Sequence, residues 1–288
     1  MSKEKMSNRM LTTTVFVVST ILILTLLAYH RTSDFRAIIP ITIQDDVQEP
    51  TERFIIAFGD SYSRAGFKMN TSYIRTGPRM HDMKKFQRPE RKLVGSPRAE
   101  NPIGNPEFPG ITSSGGKNWA MYMATEFNTT LTLAYIFARS ASVVDAEVIP
   151  PRRNTTFTFA HQIAQFNETI GHRPDYAAWT AKNAVVTIWF GLNDLSIALG
   201  KEGQDKNLRA TIRRMFELTE ILYKMGLRNF VFIEMPPFIQ PESLGALNST
   251  CVDPEGKTCL WADAHHPGRR IHQLIGARVA GNAWGNED

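Results

Sequence analysis

Four short runs rich in β-branched and aromatic residues punctuate the chain: Phe54 to Phe58, Leu131 to Ala138, Ala184 to Phe190 and Asn229 to Met235. Helical patterns alternate with them, and that layout is the one that builds a parallel sheet with helices packed on its faces. Between the last two runs, Leu208, Ile212, Met215, Thr219 and Leu222 recur at spacings of three and four, and Gly226 is placed to end that helix. A further helix is expected to open at Pro267 and to carry Ile271, Leu274, Ile275 and Val279 on one face. Lys117 to Phe127 and Thr155 to Ile170 have weaker helical patterns. The expected fold is α/β: a three-layer α/β/α sandwich around a short, mainly parallel sheet. The hydrophobic fraction of 42% and charged fraction of 21% leave ample material for such a core.

The N-terminus reads differently. Met10 to Tyr29 contains no charged residue, and its run VFVVSTILILTLLA is almost wholly apolar. About 20 such residues cross a bilayer as a helix. The run ends Leu26-Leu27-Ala28-Tyr29-His30-Arg31, a poor match to a signal cleavage site. Lys3, Lys5 and Arg9 precede it, which keeps the N-terminus in the cytosol. The expected organisation is a cytosolic N-terminus (1–9), a transmembrane signal anchor (10–29), a polar stem (30–52) and one catalytic domain (53–288). A single-pass type II membrane protein would then face the secretory lumen or cell exterior, with secretion after cleavage as the alternative.

Five acceptor sequons fit that topology, at Asn70, Asn128, Asn154, Asn167 and Asn248. So do the only two cysteines, Cys251 and Cys259, which can close one short-loop disulfide in an oxidising compartment. The net charge is +5, but much of it lies in the N-terminal flank and in Arg75 to Arg98, which holds eight Lys or Arg residues among Pro, Gly and Ser. Neither stretch interleaves with aromatics, so a solvated loop is expected for the second and no nucleic-acid partner for the chain.

Three elements carry chemistry. The first apolar run ends in Phe58-Gly59-Asp60-Ser61-Tyr62-Ser63. A Ser just past the C-terminal end of a buried parallel strand faces the crevice where open α/β sheets bind ligands, and Gly59 is expected to let the backbone turn sharply there. Trp189-Phe190-Gly191-Leu192-Asn193-Asp194 follows the third run, and an Asn amide at that strand end can donate into the same crevice. Near the C-terminus stands Asp263-Ala264-His265-His266-Pro267. A carboxylate three residues before a His can bond its Nδ1 within one turn and leave Nε2 for a hydroxyl nucleophile, which needs such a base to accept its proton. His265 stands two residues after Asp263 and is the weaker match. His81, His161, His172 and His272 have no such company, and Tyr135, Trp119 and Trp189 read as core. No cluster has metal-ligand spacing.

These blocks, in this order, resemble those of the SGNH (GDSL) hydrolases, whose fold is flavodoxin-like. Longer phrases (GNPEFPGITSSGGKNWAMYMATEFN, VVDAEVIPP, LYKMGLRNFVFIEMPP and WADAHHPGRRIH) resemble the fungal acetylesterases of carbohydrate esterase family 16. The resemblance implies a serine esterase that removes acetyl groups from saccharides through an acyl-enzyme without metal or organic cofactor. It implies Ser61 as nucleophile and Asp263 and His266 as its partners. The oxyanion donors would be the N–H groups of Ser61 and Ala141 and the amide of Asn193, with Asp60 bracing the turn.

Two departures from that family stand out. Its second block is close to AYGGATVD, whereas this chain has Ala138 to Asp145 as ARSASVVD, so Ala141 replaces the Gly that gives an oxyanion N–H. A Cβ where φ > 0 is needed can displace that donor. Only Phe238 to Ala262 separates the fourth run from the Asp-His block, where family members place a further helix and strand. Either the sheet is reduced, with the disulfide holding the catalytic loop, or a segment is missing from the sequence. Rival readings are a lipid or short-chain acyl esterase, a Golgi polysaccharide O-acetyltransferase, and a catalytically degenerate glycan-binding protein.

Overall fold

The computed structural model describes residues 50–67, 95–154, 156–235, 253–255, 258–263 and 265–285. The anchor expected at 10–29 and the cytosolic residues before it lie outside these. Among the described residues no helix is long and apolar enough to cross a membrane. Most of the basic stretch from Arg75 to Arg98 and the segment 236–252 are likewise outside the description.

Strands β1 (Glu52–Gly59), β2 (Leu131–Ile136), β3 (Ala184–Trp189) and β4 (Asn229–Phe232) form one parallel sheet in the order β2-β1-β3-β4. Successive side chains of a strand point to opposite faces, and β1 shows what each face meets. Phe54, Ile56 and Phe58 pack with Phe159, Ile163 and Phe166 of α2 (Phe159–Thr169) and with Leu218 and Leu222 of α4 (Gln204–Lys224). Ile55 and Ala57 pack on the opposite face with Trp119, Met121 and Met123 of α1 (Trp119–Thr125) and with Val279 and Ala280 of α5 (Arg269–Trp284). Helix α3 (Leu192–Ala198) follows β3 directly. The result is the expected three-layer sandwich. Burying each Phe or Ile contributes roughly 1.5–3 kcal/mol. The central strands are mainly apolar because both faces are covered.

The helices turn different faces inward than spacing alone predicts. On α4 the buried residues are Thr211, Leu218, Thr219 and Leu222, whereas Ile212 is exposed. Helix α5 begins at Arg269 and buries His272, Gly276, Val279 and Ala280, leaving Leu274 71% exposed. The cause is close packing against α1: a Cβ on Gly276 would stand 2.8 Å from the Trp119 carbonyl oxygen. The face that approaches so closely must be lined with small residues, so Ile275 packs at its margin and Leu274 faces outward. The fourth apolar run differs too. Strand β4 ends at Phe232 and is exposed or half-buried along its length, as an edge strand of the described sheet.

Candidate active site

Strand order places the crevice. The chain leaves β1 for β2 on one side, and β3 leads to β4 on the other, so the C-terminal ends of β1 and β3 diverge at a switch point. Gly59 and Trp189 are register partners there. Ser61 lies two residues past Gly59, and Asn193 sits in the first turn of α3.

The turn carrying Ser61 is built by Asp60. Its carbonyl accepts from Ser63 N–H at 3.2 Å and Arg64 N–H at 3.0 Å, and its Oδ1 accepts from Tyr62 N–H at 3.0 Å. Gly59 serves it differently from the sharp turn expected of it. Its φ is not left-handed, but a Cβ there would stand 2.9 Å from both Ser63 Oγ and the Trp189 carbonyl oxygen. Space, not conformation, requires the glycine. Asn118 caps α1 by accepting from Met121 N–H, while its Nδ2 donates to the carbonyls of Ser63 and Arg64. One residue thus ties the helix to the serine turn.

Asp263 and His266 share a loop pinched by an antiparallel bridge between Trp261 and Pro267, with Ala262 N–H donating to the His266 carbonyl at 2.9 Å. His266 Nδ1 lies 2.7 Å from Asp263 Oδ2, and Nε2 lies 2.9 Å from Ser61 Oγ. Asp263 Oδ1 also accepts the backbone N–H groups of His265 and His266. Partial burial works against its charge, but the N–H of His265 and then the His266 ring and N–H outweigh it, so the carboxyl is held below its ordinary range. The ring beside it therefore has a carboxylate, not a carboxylic acid, on its Nδ1 side. Sequence spacing placed these three side chains in one chemistry, and the fold brings them into one chain of contacts. The helix expected at Pro267 opens at Arg269 instead, so His266 is held by the loop.

Ser61, Ala141, Asn193, Asp263, His265 and His266 all line one cavity of about 990 Å³. Ala141 adopts φ 60°, the left-handed region that costs a non-glycine residue about 1–2 kcal/mol, so the backbone keeps the conformation a glycine would take. Gly191, at φ 118°, caps α3 and supplies the turn before Asn193. Asn193 departs from expectation. Its Nδ2 donates to Asp60 Oδ2 at 3.2 Å and to the Ser142 carbonyl at 3.0 Å, so both hydrogens have acceptors within the protein and neither is held for a ligand. Asp60 and Asp194 are both buried beneath this arrangement. Burial pushes Asp60 up to about 7, opposed by Tyr62 N–H and reinforced by the Asp194 charge, and burial pushes Asp194 up to about 6.

Three supporting residues escaped the sequence reading. Tyr62 donates its hydroxyl to the His265 carbonyl at 2.5 Å and lays its ring edge-on to His266 at 5.7 Å. It thereby latches the Asp-His loop to the serine turn. Gln162 of α2 bonds both the N–H and the carbonyl of Gly59 and reaches Ser142 Oγ at 3.1 Å. It is fully buried on a face that also holds Gln165 and Thr169, so its spacing gave no signal that set it apart. His272, left by the sequence to a surface or core role, accepts from Trp119 N–H, and burial first, then the charge of His266, lowers it to about 3, so it stays neutral. The other aromatics read as core, Tyr135, Trp119 and Trp189, are buried as expected.

Among the described residues, no three His, Cys, Asp or Glu side chains converge as metal ligands would. Of the sequon asparagines, Asn154 is exposed and Asn167 half-buried, while Asn70 and Asn248 lie outside the description. Asn128 donates its amide to the Ala124 and Thr130 carbonyls at 2.9 and 3.1 Å, so a glycan there would leave one hydrogen for two acceptors. Cys259 is buried, and its expected partner Cys251 lies outside the described residues.

Sequence comparison with known proteins points to one family. A family model described as GDSL-like Lipase/Acylhydrolase matches residues 55–277. An acetylesterase from Thermothelomyces thermophilus is 31% identical, over 81% of this chain and 88% of that protein. A solved structure of a lipolytic protein of the G-D-S-L family from Desulfitobacterium hafniense covers 81% of this chain and 99% of its own at 11% identity. Its TM-score of 0.30 is too low to support any detail.

Proposed function

Because this chain belongs to the GDSL-like lipase/acylhydrolase family and is a carboxylic ester hydrolase, we propose that Ser61, His266 and Asp263 carry its reaction and that it removes acetyl groups from saccharides. The observation that carries this reading is the unbroken line of contacts, 2.9 Å from Ser61 Oγ to His266 Nε2 and 2.7 Å from Nδ1 to Asp263. Ser61 Oγ attacks the ester carbonyl carbon as its proton passes to Nε2. Asp263, already ionised, stabilises the imidazolium and fixes its tautomer. The imidazolium then protonates the departing sugar oxygen, leaving an acetyl group on Ser61. Water, deprotonated by the same nitrogen, releases acetate.

The N–H groups of Ser61 and Ala141 and the Asn193 amide are the proposed oxyanion donors. Asn193 has to loosen its 3.2 Å contact with Asp60 to serve. That engaged amide favours the rival in which the site binds acetylated glycans but turns them over slowly, since loss of one such donor costs about 10²–10³ in rate. The acetyl preference rests on the acetylesterase relative, and the saccharide on the hydroxyl-bearing Thr112, Ser113, Ser140 and Ser196 in the cavity wall. The proposed setting is an anchored, glycosylated ectodomain facing the secretory lumen or exterior, supported by the apolar run at 10–29 and its basic flank. Hydrolysis of p-nitrophenyl acetate by wild type, abolished in Ser61→Ala, is the expected result. Equal turnover in both proteins would remove Ser61 from the mechanism, and none in either would leave the binding reading.

A further inference from the structure

The charge of the cavity points beyond a neutral sugar. Arg64 and Arg152 both line it, and among the described lining residues the only acidic one is Asp263, already bonded to His266. Two guanidiniums against one carboxylate leave the lining with one positive charge in excess. Arg64 is held in place, with Nε donating to Ser113 Oγ at 3.2 Å and an Nη to the Thr112 carbonyl at 3.4 Å. Arg152 is exposed, and an Nη donates to the Ser196 carbonyl at 3.4 Å. These acceptors are neutral, and among the described residues neither guanidinium forms a salt bridge. Arg214 by contrast meets Asp145 at 2.6 Å and Glu217 at 3.1 Å. A guanidinium offers five N–H donors in a planar fork that matches a carboxylate, and both lining arginines have donors to spare.

We propose that the site takes an acetyl ester on a saccharide carrying a carboxylate, a uronic-acid unit, with Arg64 and Arg152 as the specificity-determining residues. This rests on Ser61 being the nucleophile and adds the charge of the substrate. Arg64 follows Ser61 by three residues on the same turn, so it addresses the part of the sugar nearest the ester. Arg152, more open, draws in the anionic ring or the next unit along the chain. Attraction of this kind between partly exposed groups is modest per pair and weakens with salt.

The test measures acetate release from O-acetylated glucuronic acid and O-acetylated glucose, with p-nitrophenyl acetate as a neutral reference. The readout is the ratio of kcat/KM for the two sugars, in which loss of folded protein cancels. Wild type should favour the glucuronate about fivefold, the upper end for one partly exposed ion pair and within reach of two. Arg152→Gln and Arg64→Gln should each lower the ratio severalfold, Arg64→Lys should restore part of it, and raised ionic strength should shrink it. Arg213→Gln, exposed on α4, should leave the ratio alone. Equal kcat/KM for both sugars in wild type, or a preference surviving in the double Gln variant, would overturn the proposal while p-nitrophenyl acetate turnover leaves the esterase mechanism standing. Failure to cleave any of the three esters would overturn both.

Discussion

Replacing Asp60 by Asn should remove a large part of the pH dependence of folding. Asp60 is 1% exposed beneath the serine turn, and burial pushes its carboxyl from the ordinary 3.8 up to about 7. Below about pH 4 the group is protonated in both folded and unfolded chains and has no effect on stability. Between pH 4 and 7 the unfolded chain releases the proton while the folded one keeps it, so stability falls as pH rises. At 1.36 kcal/mol per pH unit, the loss approaches about 4 kcal/mol by pH 7 and then levels off. Asn cannot ionise. The stability of Asp60→Asn minus that of wild type should therefore climb by about 4 kcal/mol from pH 4 to pH 8, whatever its starting offset. Subtraction removes Asp194 and the other titrating groups to first order. Urea unfolding of both purified proteins across that range, with m unchanged, measures it. A flat difference, or one that falls with pH, would refute the buried-carboxyl reasoning.

Ser61→Ala and His266→Ala should each lower kcat by on the order of 10⁶ and their combination by no more, while Asp263→Ala should lower it by roughly 10⁴, measured on p-nitrophenyl acetate. Gly59→Ala should destabilise by about 1–3 kcal/mol, because its Cβ would press on the Trp189 carbonyl and Ser63 at 2.9 Å; an unchanged urea midpoint would show that the contact relaxes freely. Non-reduced peptide mapping should find Cys251 joined to Cys259, a closure contributing about 2–3 kcal/mol in the chain-entropy model, and full alkylation of both without reductant would exclude it. N-terminally tagged protein should remain in the membrane fraction with its tag, whereas soluble protein beginning near residue 30 would mark the apolar run as a cleaved signal.

Local chemistry was legible in the sequence wherever its cause was local. The strands announced themselves because a strand covered on both faces is built mainly of apolar residues, as Phe54 to Phe58 of β1 and most of β2 and β3 are. Asp263 and His266 meet because a spacing of three residues within one loop suffices, and Ala141 takes the left-handed φ that its glycine-bearing counterparts suggested. Other features required the assembled molecule. The inward face of α5 is set by how closely α1 approaches, and the two edge strands differ in cover, β2 being buried where β4 is open. Gly59 is small because Trp189, from another strand, lies against it. The Tyr62 latch spans 203 residues and the Asn193 contact with Asp60 spans 133. Hydrogen bonds and steric contacts act over a few ångströms, so partners that distant in sequence leave no local pattern. Residue types and short spacings determined which groups could react; the parallel sheet, by ending β1 and β3 side by side, decided which of them could meet.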